Sequence, residues 1–450
     1  MDLVHPHARL IDARSGRELA GRALAARVEA AAEELSALPG GLLLAPMPTE
    51  VRAVVRYLGA LESGRPIALL DPAISREALL ELVRRFVPAV VADPPGDSDP
   101  PAGYHRAGDP PRWVCSDAAP HHPGLGVLLT TSGSTGNPKL VRLARAAVLA
   151  NARSVAESLG LTPGDVAPTS LPMHYTYGLS TLNSHLGCGA GVLVTPASVL
   201  DPAFWAAADA HRATLLSAVP YQFEMLHRTG FDPAAYPTLR AITQAGARLR
   251  TELVTDFAGR MRAAGGHLIK MYGMTEAPRI SVLPPERLAE KPSSVGRAIP
   301  GGALSVAGDG EVVYEGPNVM MGYALSAADL TRGDDLGGRI RTGDLGHLDE
   351  EGFLYLDGRL KRIAKVFGVR VNLDDVERLL RGRGPVAAVT GDDRVVVWAE
   401  GVDTAACGEL ARDLAGRLNL HWSGFDVRGI DRLPLLGTGK VDYRLLEARV

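Results

Sequence analysis

Little in this chain invites cross-linking or membrane burial. Its 450 residues hold only three cysteines, Cys115, Cys188 and Cys407, with no CxxC spacing. So scattered and odd a set argues against a disulfide framework or a zinc cluster and reads as reduced thiols. Charge of one sign is also lacking: 48 Lys and Arg stand against 51 Asp and Glu, a net of −3. That balance excludes nucleic acid or an anionic membrane as an obvious main partner. Long apolar runs are missing too. The greasiest stretch, Gly178 to Leu200, is broken by Asn183, His185, Pro196 and repeated glycines, so it is not expected to span a bilayer. The opening residues, MDLVHPHARLIDARSG, contain no apolar segment of the secretion-signal type, and a cytoplasmic protein is expected. Acids are absent from one long interval, Val166 to Leu200.

What is present is ordinary for a soluble globular protein, 46% hydrophobic and 22% charged, and long enough for two or more domains. Residues 18 to 37 carry apolar positions at helical spacing. Leu42–Leu44 follows, then a helix from Thr49 to Glu62, Ile67–Leu70, a helix from Arg76 to Phe86, and Ala89–Val91. Short apolar runs alternating with amphipathic helices predict βαβ units and a largely parallel sheet. Residues 94 to 124, rich in Pro, Gly and Asp, read as an exposed connection. The alternation resumes with helices near 145–159, 202–212, 220–229 and 251–264. Strands at Val192–Thr195, Leu215–Val219, Leu239–Thr243 and His267–Met271 lie between them and close the series. Beyond about residue 280 short strands and turns take over, and from about residue 360 a small α+β unit follows. The expected fold class is α/β: a large N-terminal domain of mixed and parallel sheets with flanking helices and a β-rich subdomain, residues 1–360, then a small hinged α+β domain, residues 361–450.

Five stretches carry chemistry. The first is Val127 to Leu140, VLLTTSGSTGNPKL, where an apolar strand breaks into Ser, Thr and Gly and then reaches Lys139. Such a loop presents backbone N–H groups and hydroxyls to a polyanion, and the lysine adds a cation. It is not the Walker pattern, because two residues separate Gly136 from Lys139 and no Ser or Thr follows. In the second, Tyr272 to Ala277, Thr275 offers a hydroxyl and Glu276 a hard oxygen ligand suited to Mg2+; it also reads as a plain strand end. In the third, Asp344 of Arg341-Thr342-Gly343-Asp344 either accepts two hydroxyls of a vicinal diol or is a turn aspartate. The fourth, the basic strip from Gly358 to Lys365 leading to Gly368, is a ligand surface or a solvated face. The last, Pro434 to Lys440, sets Lys440 on a Gly-Thr-Gly loop.

In that order these segments resemble the adenylate-forming superfamily: acyl- and aryl-CoA synthetases, the adenylation domains of nonribosomal peptide assembly, and the luciferases. The resemblance runs from about residue 40 to the end and is carried by TTSGSTGNPK, YGMTEA, GEVVYEGPNVMMGY (310–323), RTGDLG, GRLKRIAKVFGVRV and PLLGTGK. It implies that Thr131, Ser132, Gly133, Ser134, Thr135, Gly136 and Lys139 hold the β- and γ-phosphates of ATP. Gln244, Ala245, Gly246 and Ala247 would lie along the adenine, with Tyr272 against its face and Gly273 beside it. Thr275 would touch the α-phosphate and Glu276 ligate Mg2+, while Asp344 and Arg359 take the ribose hydroxyls. Lys440 would bridge the acid's carboxylate and the α-phosphate as pyrophosphate leaves. The implied catalytic set is Lys440, Thr275, Glu276 and Lys139. A second step would follow a swing of the C-terminal domain about Lys361, with Lys365 and Gly368 lining a channel for a thiol, that of CoA or of a carrier protein's phosphopantetheine. Leu140, Ala364 and Leu373 depart from the family's usual glycine, isoleucine and proline.

The resemblance also sets the acid pocket among His174, Tyr175, Tyr177, Gly178, Ser217, Gly246, Gly273 and Met274. The acid-free interval from Val166 to Leu200 lacks the aspartate that amino-acid-activating relatives use, which disfavours a standard α-amino acid. His174, Tyr175 and Tyr177 favour a small aryl acid over a short acyl one, or else are lid and core aromatics that do not discriminate. No carrier segment is visible after residue 440, so any acyl carrier protein is expected to be a separate chain. The remaining alternatives are adenylation with a non-thiol acceptor (an amine, a hydroxyl or nitrite-derived chemistry), and a catalytically inactive nucleotide-binding interaction protein.

Overall fold

The computed structural model describes residues 3–95, 99–130, 139–360, 362–367, 369–418, 420–437 and 439–450, with the side chains of 363, 365, 370 and 381 also left aside. The architecture is the α/β arrangement expected. Two compact units form, one of residues 1–304 and 314–340, the other of residues 305–313 and 341–450.

The first unit's largest sheet has eight strands. In spatial order they are Gly322–Ala324, Leu140–Ala144, Leu125–Thr130, Ile67–Leu70, Leu43–Pro46, Val90–Ala92, Arg112–Val114 and His105–Ala107. Its centre is parallel and fully buried. Covered on both faces, those strands read as unbroken apolar runs. The helices Val51–Glu62 and Arg76–Phe86 supply the crossovers, the latter started by Ser75, whose hydroxyl accepts the Ala78 N–H at 3.2 Å. Residues 94 to 124 are more than a connection: two short antiparallel strands form there and seat Trp113, fully buried, in the core.

A five-stranded sheet carries Leu215–Ala218, Ala241–Gln244, His267–Met274, Ala277–Leu283 and Arg297–Ala298; its first three strands are parallel and the last two antiparallel. A smaller sheet joins Val166–Pro168, Gly191–Val194, Arg9–Asp12 and Glu18–Ala20. The Gly178–Leu200 stretch resolves into most of a buried helix, Thr176–Cys188, and the strand Gly191–Val194. Its hydrophobicity reflects burial on all sides, which erases helical periodicity.

One buried carboxylate joins the two smaller sheets. Asp165, 3% exposed, accepts from Arg240 Nε at 2.6 Å, the Thr214 hydroxyl at 2.7 Å and the Thr162 N–H at 2.8 Å. Thr214 and Arg240 lead into the strands that bring Ser217 and Gln244 into place.

In the second unit the strand Arg339–Leu348, from Arg341 on, pairs antiparallel with Leu354–Arg359. The hairpin Ile363–Val366 with Val369–Asn372 follows, then a sheet of Val386–Thr390, Val395–Glu400 and Phe425–Ile430. Helices Leu373–Leu379 and Thr404–Leu418 pack on it through Val376, Leu414 and Phe425. Among the described residues no helix is long and apolar enough to cross a membrane.

Burial raises the Asp165 carboxyl's pKa, but Arg240, the Thr162 N–H and the Thr214 hydroxyl outweigh it and hold it at about 2. A depressed carboxylate pKa contributes stability above its unfolded value near 4, lost as pH falls through 2. Asp165→Asn should therefore lose about 2 kcal/mol at neutral pH and flatten the acid limb between pH 4 and 2. Urea unfolding across that range checks this; parallel curves for the two proteins would contradict it.

Candidate active site

The strand at His267 does not end at Met271. It continues to Met274, turns within the two residues Thr275 and Glu276, and returns as Ala277–Leu283. The antiparallel register shifts between Tyr272 and Met274, and Gly273 sits at that shift. A Cβ there would lie 2.4 Å from the Pro278 carbonyl oxygen, so only glycine permits the approach. Tyr272 is buried, and the turn presents Thr275 and Glu276 half-exposed at the sheet's end.

Glu276 is fixed by a residue that motif reading had left unassigned. The Tyr323 hydroxyl donates to Glu276 Oε1 at 2.6 Å, and the Met320 N–H donates to the Glu276 carbonyl at 2.8 Å. Tyr323 lies on the edge strand Gly322–Ala324, opposite Val141. Lys139 Nζ stands 3.6 Å from the centre of the Tyr323 ring. A cation, an aromatic ring and a carboxylate thus form one array. Burial, then the Glu276 charge and its hydrogen bond, pushes the Tyr323 hydroxyl's pKa well up, which keeps it a donor. The signal was in the sequence: Tyr323 ends the GEVVYEGPNVMMGY stretch. Residues Thr131, Ser132, Gly133, Ser134, Thr135 and Gly136 lie outside the described residues.

Glu276 is a single hard oxygen donor, and among the described residues no group of three His, Cys, Asp or Glu gathers to hold a metal. One carboxylate suits Mg2+, which keeps waters and takes its other oxygens from phosphates.

The proposed acid-pocket residues meet through hydroxyls. The Tyr177 hydroxyl pairs with Thr243 Oγ1 at 2.7 Å, and Thr243 donates to Ser217 Oγ at 3.2 Å. Thr181 pairs with Ser217 at 2.9 Å, so helix Thr176–Cys188 is tied to both adjoining strands. Thr176 Oγ1 donates to Thr275 Oγ1 at 3.2 Å. Gly178 packs so closely that a Cβ would lie 2.2 Å from the Pro172 carbonyl oxygen. His174 is held below its usual pKa by burial, against the opposing pull of Asp71 at 3.7 Å. Burial, reinforced by Tyr177, lifts the Tyr175 hydroxyl to about 12. After strand Ala241–Gln244, Gln244 donates to the Ala247 carbonyl at 2.8 Å across Ala245 and Gly246, the latter at φ 95°. A groove of about 360 Å3 lined by Leu3, Leu58, Leu61 and Val148 includes none of these residues.

In the second unit Asp344 and Arg359 face each other in register, Arg359 Nε donating to Asp344 Oδ1 at 2.9 Å. Asp344 is 7% exposed and lies inside a continuous strand; it is not a turn aspartate. Its segment is clamped by Thr342 Oγ1 on the Val312 carbonyl at 2.9 Å and by the Gly343 N–H on Glu311 at 2.7 Å. Lys440 is half-buried on a closed loop, where the Leu436 N–H donates to its carbonyl at 2.7 Å and Gly439 takes φ 75°. Of the basic strip, Arg362 is no solvated charge: it pairs with Asp374 and Glu377, each at 2.5 Å, and lies over Tyr443. Lys361 and Gly368 lie outside the described residues, as does the side chain of Lys365, whose backbone is in strand Ile363–Val366.

The hairpin's dependence on glycine is testable. Gly273→Ala should cost about 1–3 kcal/mol through forced displacement. Gly259→Ala, in helix Thr251–Ala263 with nothing within 4 Å of its Cβ position, should gain about 0.5–1 kcal/mol. Thermal unfolding measures both, and equal effects would contradict the close approach.

Comparison with known proteins agrees with this geometry. The family model for AMP-binding enzymes matches residues 4–324. An indoleacetate–CoA ligase of Aromatoleum aromaticum is 33% identical over 367 residues, covering 74% of this chain and 70% of that protein. A sulfoacetate–CoA ligase of Cupriavidus necator is 31% identical over 395 residues, covering 82% and 74%. Two further curated CoA ligases are matched over 53% and 65% of their own length. The ATP-bound structure of MatB from Rhodopseudomonas palustris has the same fold, with TM-score 0.77 and 23% identity over 99% of this chain and 96% of that one. The chain belongs to the AMP-binding enzyme family, the adenylate-forming superfamily of CoA ligases and luciferases.

Proposed function

We propose that the protein uses Mg·ATP to adenylate a small carboxylic acid, releasing pyrophosphate, and then passes the acyl group to a thiol, of CoA or of a separate carrier protein. The observation that carries this reading is the Lys139–Tyr323–Glu276 array, with Lys139 over the ring and Glu276 bound by its hydroxyl. A cation at the end of a hydroxyl- and glycine-rich segment serves the β- and γ-phosphates, and a positioned carboxylate serves the metal that screens them. Thr275, bonded to Thr176 beside the acid pocket, serves the α-phosphate. Gln244 to Ala247 and Tyr272 serve the adenine, and Asp344 with Arg359 the ribose. Mg2+ held by Glu276 would neutralise phosphate charge.

Lys440 supplies the cation where two anions must meet, the attacking carboxylate and the α-phosphate; that encounter is where a fixed positive charge acts most. In the second step residues 361–450 move as a mobile domain hinged at Lys361, with Lys365 and Gly368 along the thiol's path. The relatives named for indoleacetate and sulfoacetate support a small acid and a CoA acceptor. The aromatic side chains His174, Tyr175 and Tyr177 support an aryl acid first.

Acid-dependent pyrophosphate release should fall by about 10²–10³ in Lys440→Ala, with mass detection of the acyl product identifying the acceptor. A loss under about tenfold would remove Lys440 from this role, and no acid-dependent release from the wild-type chain would leave a nucleotide-binding interaction protein.

A further inference from the structure

One charged group beside the acid pocket is not used by the adenylation chemistry. Arg279 lies on strand Ala277–Leu283, just past the Thr275–Glu276 turn, and is 2% exposed. Its guanidinium stands 5.0 Å from the centre of the Tyr177 ring, whose hydroxyl is already shared with Thr243. Burial works against its charge, and the groups set against burial are Tyr177 and Tyr175, phenols whose own pKa values burial raises and which therefore bring no negative charge at neutral pH. Among the described residues no carboxylate pairs with it, and its Nε has no hydrogen-bond partner.

Other buried arginines of this chain are handled differently. Arg142, fully buried, gives its terminal nitrogens to the carbonyls of Arg332, Gly333 and Met321 and to Asp335. Arg65 gives its own to the carbonyls of Gly41, Leu35 and Leu38. Among the described residues Arg279, alone of the three, shows no hydrogen bond from its guanidinium to a carbonyl or carboxylate and stands over one ring, that of Tyr177. A guanidinium does not shed its proton in ordinary conditions, so its burial calls for a counter-charge, and a ring face supplies only part of one. Nothing acidic between Val166 and Leu200 offers it, and among the described residues no carboxylate, Glu276 included, acts on Arg279.

We propose that Arg279 receives a second anionic group on the acid substrate. The acid is then a compact dianion, a dicarboxylic or sulfo-carboxylic acid, aryl or short-chain, with one carboxylate activated and the other anion on the guanidinium. The planar fork of Arg279 matches a carboxylate or sulfonate with two parallel N–H donors. A neutral substituent would leave the buried cation unpaired, which makes the site a strong discriminator. This inference rests on the adenylation reading.

The test pairs each monoacid with its diacid: butyrate with succinate, benzoate with its benzene dicarboxylates, and propionate with 3-sulfopropionate. Acid-dependent pyrophosphate release is measured on the full chain. The wild-type kcat/KM should favour the dianionic member of at least one pair by about 10² or more. In Arg279→Met that ratio should fall by about 10², and in Arg279→Lys the preference should persist with a raised KM for the diacid. Thermal unfolding is followed for both variants; should the methionine variant not fold, the wild-type ratio and the lysine variant decide. Activity confined to monoacids, or a ratio unchanged in the variants, overturns the inference and leaves adenylation standing. Activity with no acid overturns both.

Discussion

The proposed chemistry depends on a two-residue turn. Between Met274 and Ala277 the chain must reverse within Thr275 and Glu276, and it can do so only because Gly273 lets the returning strand approach within the space a side chain would fill. That reversal sets a hydroxyl and a carboxylate side by side at the end of a rigid sheet. The Tyr323 hydroxyl then removes the carboxylate's freedom, and the same ring carries Lys139. Preorganised charges of opposite sign at fixed spacing are what a metal-bound polyphosphate needs, and they incur little reorganisation when it arrives.

The surrounding fold serves that turn. Asp165 ties the ends of two sheets so that the strands bearing Ser217 and Gln244 leave at set heights. Helix Thr176–Cys188, buried on nearly every face, is bolted to those strands by Tyr177, Thr181, Thr243 and Ser217. The hydroxyls of Tyr177, Thr181, Thr243 and Ser217 already have partners there, whereas the buried Arg279 Nε beside Tyr177 has none. In the second unit the same economy applies: Asp344 and Arg359 meet because strand register makes them opposite one another.

Much of this was legible in the residues. The parallel core strands announce themselves as short apolar runs, and YGMTEA, RTGDLG and PLLGTGK mark their segments because chemistry restricts which side chains fit. Three things were hidden for physical reasons. The helix Thr176–Cys188 lacks amphipathic spacing because nearly every face is buried. The strand Ala277–Leu283 begins with Ala-Pro and contains an arginine that alternation would send outward, yet Arg279 is among the most buried side chains. Tyr323 gains its meaning from a partner 47 residues away, a distance that local pattern does not reach.

The central claim is that Glu276, aligned by Tyr323 beside Lys139, receives a magnesium nucleotide. Calorimetric titration of the full chain with ATP, in Mg2+ and in chelator, tests it directly. The account predicts one site per chain, at least about tenfold tighter with Mg2+, with that advantage gone in Glu276→Gln. Equal affinity with and without Mg2+, or an undiminished Mg2+ effect in the variant, would contradict it.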